Sequence, residues 1–365
     1  MATARQRFLD YVRRVPGARP VVSPFLPKTE LLAATLAHLG LPVADDPVAN
    51  EICLAQALDY EPMFMTDCHG LIFPWREDAA RSDARWIVET LDTPLGPWER
   101  RISRRYGLFG DQTGFPVKTE ADHDRLAAVC AQVGAREAEI HAYFRAWRER
   151  VGDGGVIVIG HPHVTWLAYQ ISQENLVLHA RDYPAAFARS MEAIYQAALA
   201  VFAIAMQEGI DFMSESGYGR EMISPRQFAA EDLPYTRRLA DWTHAHGGLM
   251  WYHNCGRTRD LIRAGLFDGL GCDVIETIAP PPEGDNDLAE SRRWLDGAVC
   301  SKGNLSLQLL RDGSPDEVAA ATRAMVRAVR GYAHIHSTAD AVYAETPIAN
   351  WLAFLQTARA AADGG

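Results

Sequence analysis

The sequence has few cysteines and no long hydrophobic run, and each shortage excludes a class of protein. Six cysteines in 365 residues are too few for a disulfide framework. The longest notable apolar stretch, residues 197–206, has half of the roughly 20 residues that a membrane helix needs. The first twenty residues contain no apolar core of the kind that signal peptides have. We therefore expect a cytoplasmic protein with free thiols and no membrane partner.

The sequence also has fewer positively charged than negatively charged residues. Lys and Arg together number 36 against 47 Asp and Glu, so the formal net charge is −11. This balance argues against nucleic acid as a partner. Aromatic residues make up only 9%, but hydrophobic residues reach 48% and charged residues 23%. Such a composition is typical of a soluble globular protein and excludes a disordered chain.

Alternating strands and helices dominate the chain from about residue 150. Apolar segments predict strands at 156–160, 210–214, 248–255, 273–278, 298–303 and 332–336. Most are apolar on both faces, as in a parallel sheet covered by helices. Two further segments, 21–25 and 62–66, bring the predicted total to eight strands. That number suits an α/β fold of the (β/α)8 TIM-barrel type.

The predicted barrel uses the whole chain, residues 1–365, as one domain. Residues 1–150 contain the first strands and helices and an N-terminal excursion, which we place within 67–154. Residues 151–365 contain the regular β/α repeats. An open doubly wound sheet is the alternative, although no glycine-rich phosphate loop stands between a strand and a helix.

Helix boundaries are marked by capping residues. A hydroxyl residue before proline is typical of a helix start, and a glycine that follows a helix is typical of its end. The predicted starts are Ser224-Pro225, Ser314-Pro315 and Thr346-Pro347, and the predicted ends are Gly247, Gly265 and Gly331.

The strongest chemical signal is the segment WYHNCG at 251–256. His253 and Cys255 stand two residues apart at the end of a predicted strand, so their side chains point to the same side. In a barrel this strand end faces the catalytic mouth. An imidazole and a thiolate suit zinc, but such a pair is more often a buried structural pair. A catalytic zinc would need a third protein ligand as well.

Four residues near other strand ends are candidates for that third ligand. They are Asp340, Cys300, Glu276 and Glu215. Cys300 is also typical of a barrel core, and Asp340 of a loop cap. His163, which follows a strand in a His-Pro-His segment, is expected to line a pocket. His334 and His336 are typical of hydrogen-bonded core histidines.

Several short segments, taken in their order and spacing, resemble the uroporphyrinogen decarboxylase superfamily. The resemblance covers roughly residues 95–360, and the superfamily also contains cobalamin-dependent methyltransferases. It implies the TIM-barrel fold. The segments are TPLG at 93–96, PVKTEAD at 116–122, ISP at 223–225, LP at 233–234, HNCG at 253–256, KGN at 302–304, GSPDEV at 313–318 and TP at 346–347 with Asn350.

The resemblance is closer to the methyltransferase branch. The decarboxylase proper carries N-terminal arginines for the acidic side chains of its substrate, and residues 21–25 here read VVSPF. The methyltransferases use a His-x-Cys pair and a distant cysteine to bind zinc. His253 and Cys255 match the pair, whereas the distant cysteine would fall near Asp340. The implied metal ligands are therefore His253, Cys255 and Asp340, with Cys300 in reserve.

The resemblance implies a zinc-dependent methyltransferase or demethylase. A methyl group would move between a small-molecule substrate or thiol and the cobalt of a corrinoid (cobalamin). Because the chain lacks an Asp-x-His-x-x-Gly corrinoid motif, a separate corrinoid protein is the expected partner. Superfamily members are often dimers, so a homodimer is expected too.

Two other functions stay open at this point. One is a metal-independent decarboxylase or lyase of a small carboxylic acid, in which Glu215, Asp340 or His163 transfers a proton. Glu276 is a further candidate catalytic residue. The other is a non-catalytic barrel that binds a corrinoid protein or a small ligand.

Overall fold

The computed structural model describes residues 2–104, 111–160, 164–217 and 223–364. The chain divides into two compact units. The first unit contains Met1–Thr66, Ala146–Ile159 and Ile210–Gly365, and the second contains Asp67–Arg145 and Gly160–Gly209.

The strands of the described residues belong to two sheets. They are β1 (Met63–Thr66), β2 (Arg76–Glu77), β3 (Trp86–Leu91), β4 (Trp98–Ser103), β5 (Asp111–Thr113), β6 (Val156–Ile159), β7 (Phe212–Ser216), β8 (Leu249–Asn254), β9 (Val274–Thr277), β10 (Cys300–Leu305) and β11 (His334–Thr338). The first unit holds a parallel sheet in the order β1-β6-β7-β8-β9-β10-β11, and the second holds an antiparallel sheet in the order β2-β3-β4-β5.

Helices precede the first strand and lie between consecutive strands of the parallel sheet. In the described residues they are α1 (Ala4–Val12), α2 (Thr29–His38), α3 (Pro47–Leu58), α4 (His69–Ile72), α5 (Glu120–Cys130), α6 (Glu137–Val151), α7 (Val164–Ile171), α8 (Gln173–Asp182), α9 (Pro184–Gln207), α10 (Pro225–Gln227), α11 (Leu233–Ala245), α12 (Arg259–Arg263), α13 (Leu288–Trp294), α14 (Leu307–Asp312), α15 (Pro315–Ala328) and α16 (Ile348–Asp363).

The parallel sheet confirms the predicted α/β fold. Each strand predicted from residue 62 onward has a counterpart, but β7, β10 and β11 begin two residues later than predicted. The segment 21–25 is represented by an isolated parallel bridge between Val22 and His336. Val22 also accepts a hydrogen bond of 2.9 Å from the backbone N–H of Glu61, shortly before β1.

The two faces of the parallel sheet have different surroundings. We call the face that carries Met63, Val158, Phe212, Trp251 and Cys300 the core face, because these side chains join one buried hydrophobic cluster. The N-terminal helix α1 adds Phe8, Leu9 and Val12 to that cluster. Alternation along each strand then assigns every second residue to the core face.

The predicted helix boundaries are mostly confirmed. Ser224 and Ser314 each form a capping box with the residue three positions later. The third start differs, because α16 begins at Ile348 and Pro347 has an extended ψ of 132°. Gly247, Gly265 and Gly331 adopt the left-handed conformation expected after a helix.

The second unit includes most of the region in which we predict an N-terminal excursion. Its antiparallel strands β2 to β5 lie within residues 67–154, and residues 160–209, expected among the regular repeats, belong to this unit as well. Among the described residues, only α9 is long and apolar enough to cross a membrane. More than half of the most apolar stretch of α9 is buried in the protein. A core helix of a soluble protein has the same length, hydropathy and burial.

Candidate metal centre

Three of the predicted metal ligands converge. His253 lies near the end of β8, Cys255 directly follows that strand, and Asp340 stands two residues after β11. One potential ligand atom of each side chain lies within 4.8 Å of the others. The carboxyl ends of parallel strands meet at one edge of a sheet, which explains why residues so distant in sequence come together.

The three side chains differ in exposure. Cys255 is exposed, whereas His253 and Asp340 are partly buried. Asp340 also caps its own turn, because its Oδ1 accepts a hydrogen bond of 2.7 Å from the backbone N–H of Ala341. Asp340 therefore caps a loop, as the sequence indicated, and also belongs to the metal group.

His253 is held on two sides. Its Nδ1 lies 3.1 Å from Oε1 of Glu276, which occupies the neighbouring position on β9. The Phe25 ring stacks on the imidazole, with 5.3 Å between centroids and 12° between planes. Because a carboxylate only accepts hydrogen bonds, we assign the Nδ1 proton to this contact. Nε2 is then the ring atom that can bind a metal.

Glu276 forms a buried ion pair on its other side. Nζ of Lys302 lies 2.7 Å from Oε2 of Glu276, and their side chains are 1% and 0% exposed. Burial alone would raise the pKa of Glu276, but Lys302 and His253 outweigh it and lower that pKa to about 2. Glu276 is therefore ionised.

The pKa values of the two side chains that contact Glu276 shift in opposite directions. Burial lowers the pKa of Lys302, although Glu276 opposes the shift. Burial also acts to lower the pKa of His253, but hydrogen bonds with Cys255 and Glu276 raise it well above its ordinary value.

Cys300 lies apart from this group. It is fully buried on the core face, in the hydrophobic cluster that contains Trp251 and Val274. Burial raises the pKa of its thiol to about 12, so the thiol is neutral. Cys300, the reserve candidate for a metal ligand, therefore lies in the hydrophobic core. This agrees with the second interpretation of Cys300 in the sequence analysis, a residue of the barrel core.

Glu215 points away from the group. On β7, Ser216 pairs with His253 and Glu215 pairs with Tyr252, so Glu215 lies on the face opposite the core face. The prediction ended this strand at residue 214, whereas it runs to Ser216. Burial raises the pKa of Glu215 well above its ordinary value. His163 lies outside the described residues.

Sequence reasoning missed the roles of Phe25 and Lys302. The sequence contained two signals for Lys302: it belongs to the KGN segment of the family resemblance, and it shares a strand face with Cys300 two residues earlier. His334 was predicted to be a hydrogen-bonded histidine of the core, and its contacts agree. Its Nδ1 lies 2.7 Å from Oγ of Ser301, and its Nε2 lies 2.8 Å from the carbonyl oxygen of Gly303.

The chain matches a family model described as Uroporphyrinogen decarboxylase (URO-D) over residues 114–361. It belongs to the URO-D family. The match confirms the resemblance drawn from the short segments, and it includes all three residues of the metal group. No curated protein matches this URO-D chain in sequence.

Comparison with solved structures finds the fold of this URO-D chain in a methyltransferase. A methyltransferase from Methanosarcina mazei is 14% identical, with a TM-score of 0.69, and the match covers 100% of this chain and 99% of that one. A B12-independent methionine synthase from Shewanella sp. W3-18-1, in complex with selenomethionine, is 10% identical with a TM-score of 0.46. That match covers 95% of this chain and 97% of the synthase. At 14% identity the likeness to the M. mazei methyltransferase concerns the fold alone.

Proposed function

We propose that this protein is a zinc-dependent methyltransferase or demethylase. It would move a methyl group between a small substrate or thiol and a corrinoid carried by a separate protein. The observation that supports this most directly is the convergence of His253, Cys255 and Asp340. Membership of the URO-D family and the fold shared with the M. mazei methyltransferase add support.

The donor set fits zinc. Zinc bonds of about 2.0–2.3 Å place the ligand atoms of a tetrahedral site about 3–4 Å apart, and the ligand atoms here lie within 4.8 Å of one another. Nitrogen, sulfur and oxygen are all zinc donors, and three protein ligands with one open position are typical of a catalytic site. The exposure of Cys255 leaves a path from solvent to the group.

Each side chain has a definable task in this proposal. Glu276 keeps a proton on Nδ1 of His253, so that Nε2 is available as a ligand. Cys255 as a thiolate and Asp340 as a carboxylate would supply two negative charges, which balance a divalent cation. When bound, zinc supplies a Lewis acid that holds a substrate thiol or oxygen and favours its deprotonated form.

The same proposal includes a closed eight-stranded barrel and a cytoplasmic location. The carbonyl oxygen of Val21 accepts from the backbone N–H of His336 on β11, and the N–H of Ser23 donates to the carbonyl oxygen of His336. Together with the bond from Glu61 N–H to the Val22 carbonyl oxygen, these contacts support a strand between β11 and β1. All six cysteines are free thiols, which supports a reducing compartment.

Metal analysis tests the proposal. We expect stoichiometric zinc in the purified protein and its loss in His253→Ala, Cys255→Ala and Asp340→Ala. Matched controls are His38→Ala, which is exposed on α2, and Cys53→Ala on α3, and both should keep their zinc. Equal metal content in all six proteins would overturn the metal site.

A second experiment tests the reaction. Methylcobalamin incubated with candidate thiols should change its visible spectrum when wild-type protein is added, and not with Cys255→Ala. Full decarboxylase activity of metal-free protein on a small acid would favour the lyase alternative instead.

A further inference from the structure

We infer that Lys302 is a positioning residue that acts through Glu276 to hold His253 in its metal-binding orientation. The effect of Lys302 on metal binding rests on the proposed function. The contacts from which we infer it are observed in the structure and do not depend on a bound metal. In the described structure Lys302 donates its hydrogen bond to Glu276 rather than to a member of the metal group, so its action on His253 would be indirect.

The burial of Lys302 is unusual for this chain. The sequence contains three lysines, and the other two, Lys28 and Lys118, are exposed. Lys302 is 1% exposed and lies on the core face of β10. Transfer of an ammonium group from water into a protein interior is costly unless a partner of opposite charge compensates it. The partner here is Glu276.

The three side chains form a row across adjacent strands. His253 on β8 pairs in register with Glu276 on β9, and Glu276 pairs with Lys302 on β10. Residues paired in this way project from the same face of a parallel sheet. The row therefore follows from strand register, and its contacts of 3.1 Å and 2.7 Å join its neighbours directly.

Phe25 lies against both ends of the row. Its ring stacks on His253, and Nζ of Lys302 lies 4.4 Å from the centroid of the same ring. The Trp251 ring centroid is 5.7 Å from Nζ. A cation between aromatic faces is attracted to them, so Lys302 is held by two rings as well as by Glu276.

The consequence concerns the carboxylate. One oxygen of Glu276 bonds to Lys302 and the other bonds to His253, so both oxygens are engaged and the carboxylate has one orientation. Without the ammonium group, Glu276 would lose the contact that sets this orientation. His253 would then lose the partner that directs Nε2 toward Cys255 and Asp340. Loss of such outer partners typically lowers metal affinity by about 10- to 100-fold.

The experiment compares Lys302→Met, Lys302→Gln and Lys118→Met with the wild type. Methionine has a similar length and removes the charge and the donor, whereas glutamine keeps an N–H donor. Lys118→Met is the control for loss of an exposed lysine. Zinc affinity is measured by competition with a chromophoric chelator, and ligand geometry by the visible spectrum of the cobalt(II) protein. Circular dichroism establishes that each variant is folded.

The expected result is specific to positioning. Lys302→Met should bind zinc about 10- to 100-fold more weakly and show an altered cobalt(II) spectrum. Lys302→Gln should recover part of the loss, and Lys118→Met should match the wild type. Glu276→Gln should resemble Lys302→Met, and the double variant should be no weaker than Glu276→Gln alone. Unchanged affinity and spectrum in folded Lys302→Met and Lys302→Gln would overturn the inference.

A metal-free measurement separates this inference from the proposed function. The NMR signal of the Nδ1 proton of His253 should exchange slowly with water in the apo wild type and faster in Lys302→Met. If the wild type binds no metal but this difference is seen, the proposed function fails while the positioning role stands. If metal binds and the signal is equal in both proteins, the positioning role is wrong while the proposed function stands.

Discussion

Two buried carboxylates show how one neighbouring residue decides the charge of a side chain. Glu276 and Glu51 are both in the interior, at 0% and 6% exposure. Lys302 and His253 lower the pKa of Glu276 to about 2, whereas burial without a charged partner raises the pKa of Glu51 to about 8. Glu276 is thus ionised at neutral pH and Glu51 is largely protonated.

Glu51→Gln should stabilise the protein in a pH-dependent way. The pKa of Glu51 rises from 4.5 in the unfolded chain to about 8 in the fold. At pH 4.5 the carboxyl is protonated in the fold and half protonated in the unfolded chain, so its ionisation should change the stability of the wild type relative to the variant little. As the pH rises toward 8, ionisation favours the unfolded wild type, and the variant should gain more than about 1 kcal/mol. Urea unfolding at pH 4.5 and pH 8 measures the difference.

The control for this prediction is Glu345→Gln, at an exposed position. It should change stability little at either pH. A gain in Glu51→Gln that is the same at both pH values would show that the effect is not ionisation of this carboxyl group.

At the scale of the element, β10 depends on Gly303. This residue separates Lys302 from Asn304 and has a φ of 141°, which side chains rarely permit. A Cβ atom at this position would collide with the carbonyl oxygen of Thr277 on β9. The close approach of the two strands at Gly303 therefore helps to place Lys302 beside Glu276.

Gly303→Ala should destabilise the fold by more than about 1 kcal/mol, because both the backbone conformation and the space oppose a methyl group. Thermal and urea unfolding measure the change. Gly297→Ala is the matched control, since an added Cβ there meets no atom within 4 Å. Equal stability of the two variants would contradict the argument from close approach.

Strand boundaries explain which parts of the site the sequence could predict. The relative positions of His253 and Cys255 depend only on alternation within one strand, and the prediction placed both correctly at its end. The prediction placed Glu215 after the strand, whereas β7 extends two residues beyond the predicted end and includes it. Inside a strand, adjacent residues point to opposite faces, so Glu215 and Ser216 cannot share one.

At the scale of the molecule, a buried charge network joins distant parts of the first unit. Arg359 on α16 donates from Nη2 to Oε2 of Glu61 at 2.5 Å and from Nη1 to the carbonyl oxygen of Pro20 at 2.9 Å. Arg7 donates to the other oxygen of Glu61 at 2.9 Å. The backbone N–H of Val22 donates to Oε2 at 3.1 Å. The C-terminal helix is thereby bonded to the segment beside β11.

Arg359→Met should cost about 3–5 kcal/mol of stability, because it leaves the buried Glu61 carboxylate with less compensation and the Pro20 carbonyl without this donor. The urea midpoint of unfolding is the measurement. Arg181→Met serves as the control, since its side chain is 72% exposed and its ion pair with Asp182 is at the surface. A similar small change in both variants would show that the network contributes little.

The sequence by itself determined the α/β pattern, most helix boundaries, the family resemblance and the His253–Cys255 pair. These features depend on local periodicity, capping and spacing within one element, which neighbouring residues control. The resemblance implied Asp340 as the third member, and the tertiary structure brought its side chain to the pair. Only the tertiary structure decided that Glu215 faces away and that Phe25 and Glu276 hold His253, with Lys302 beside Glu276. Those relations depend on strand register and on contacts between residues far apart in the chain, and composition and spacing do not specify either.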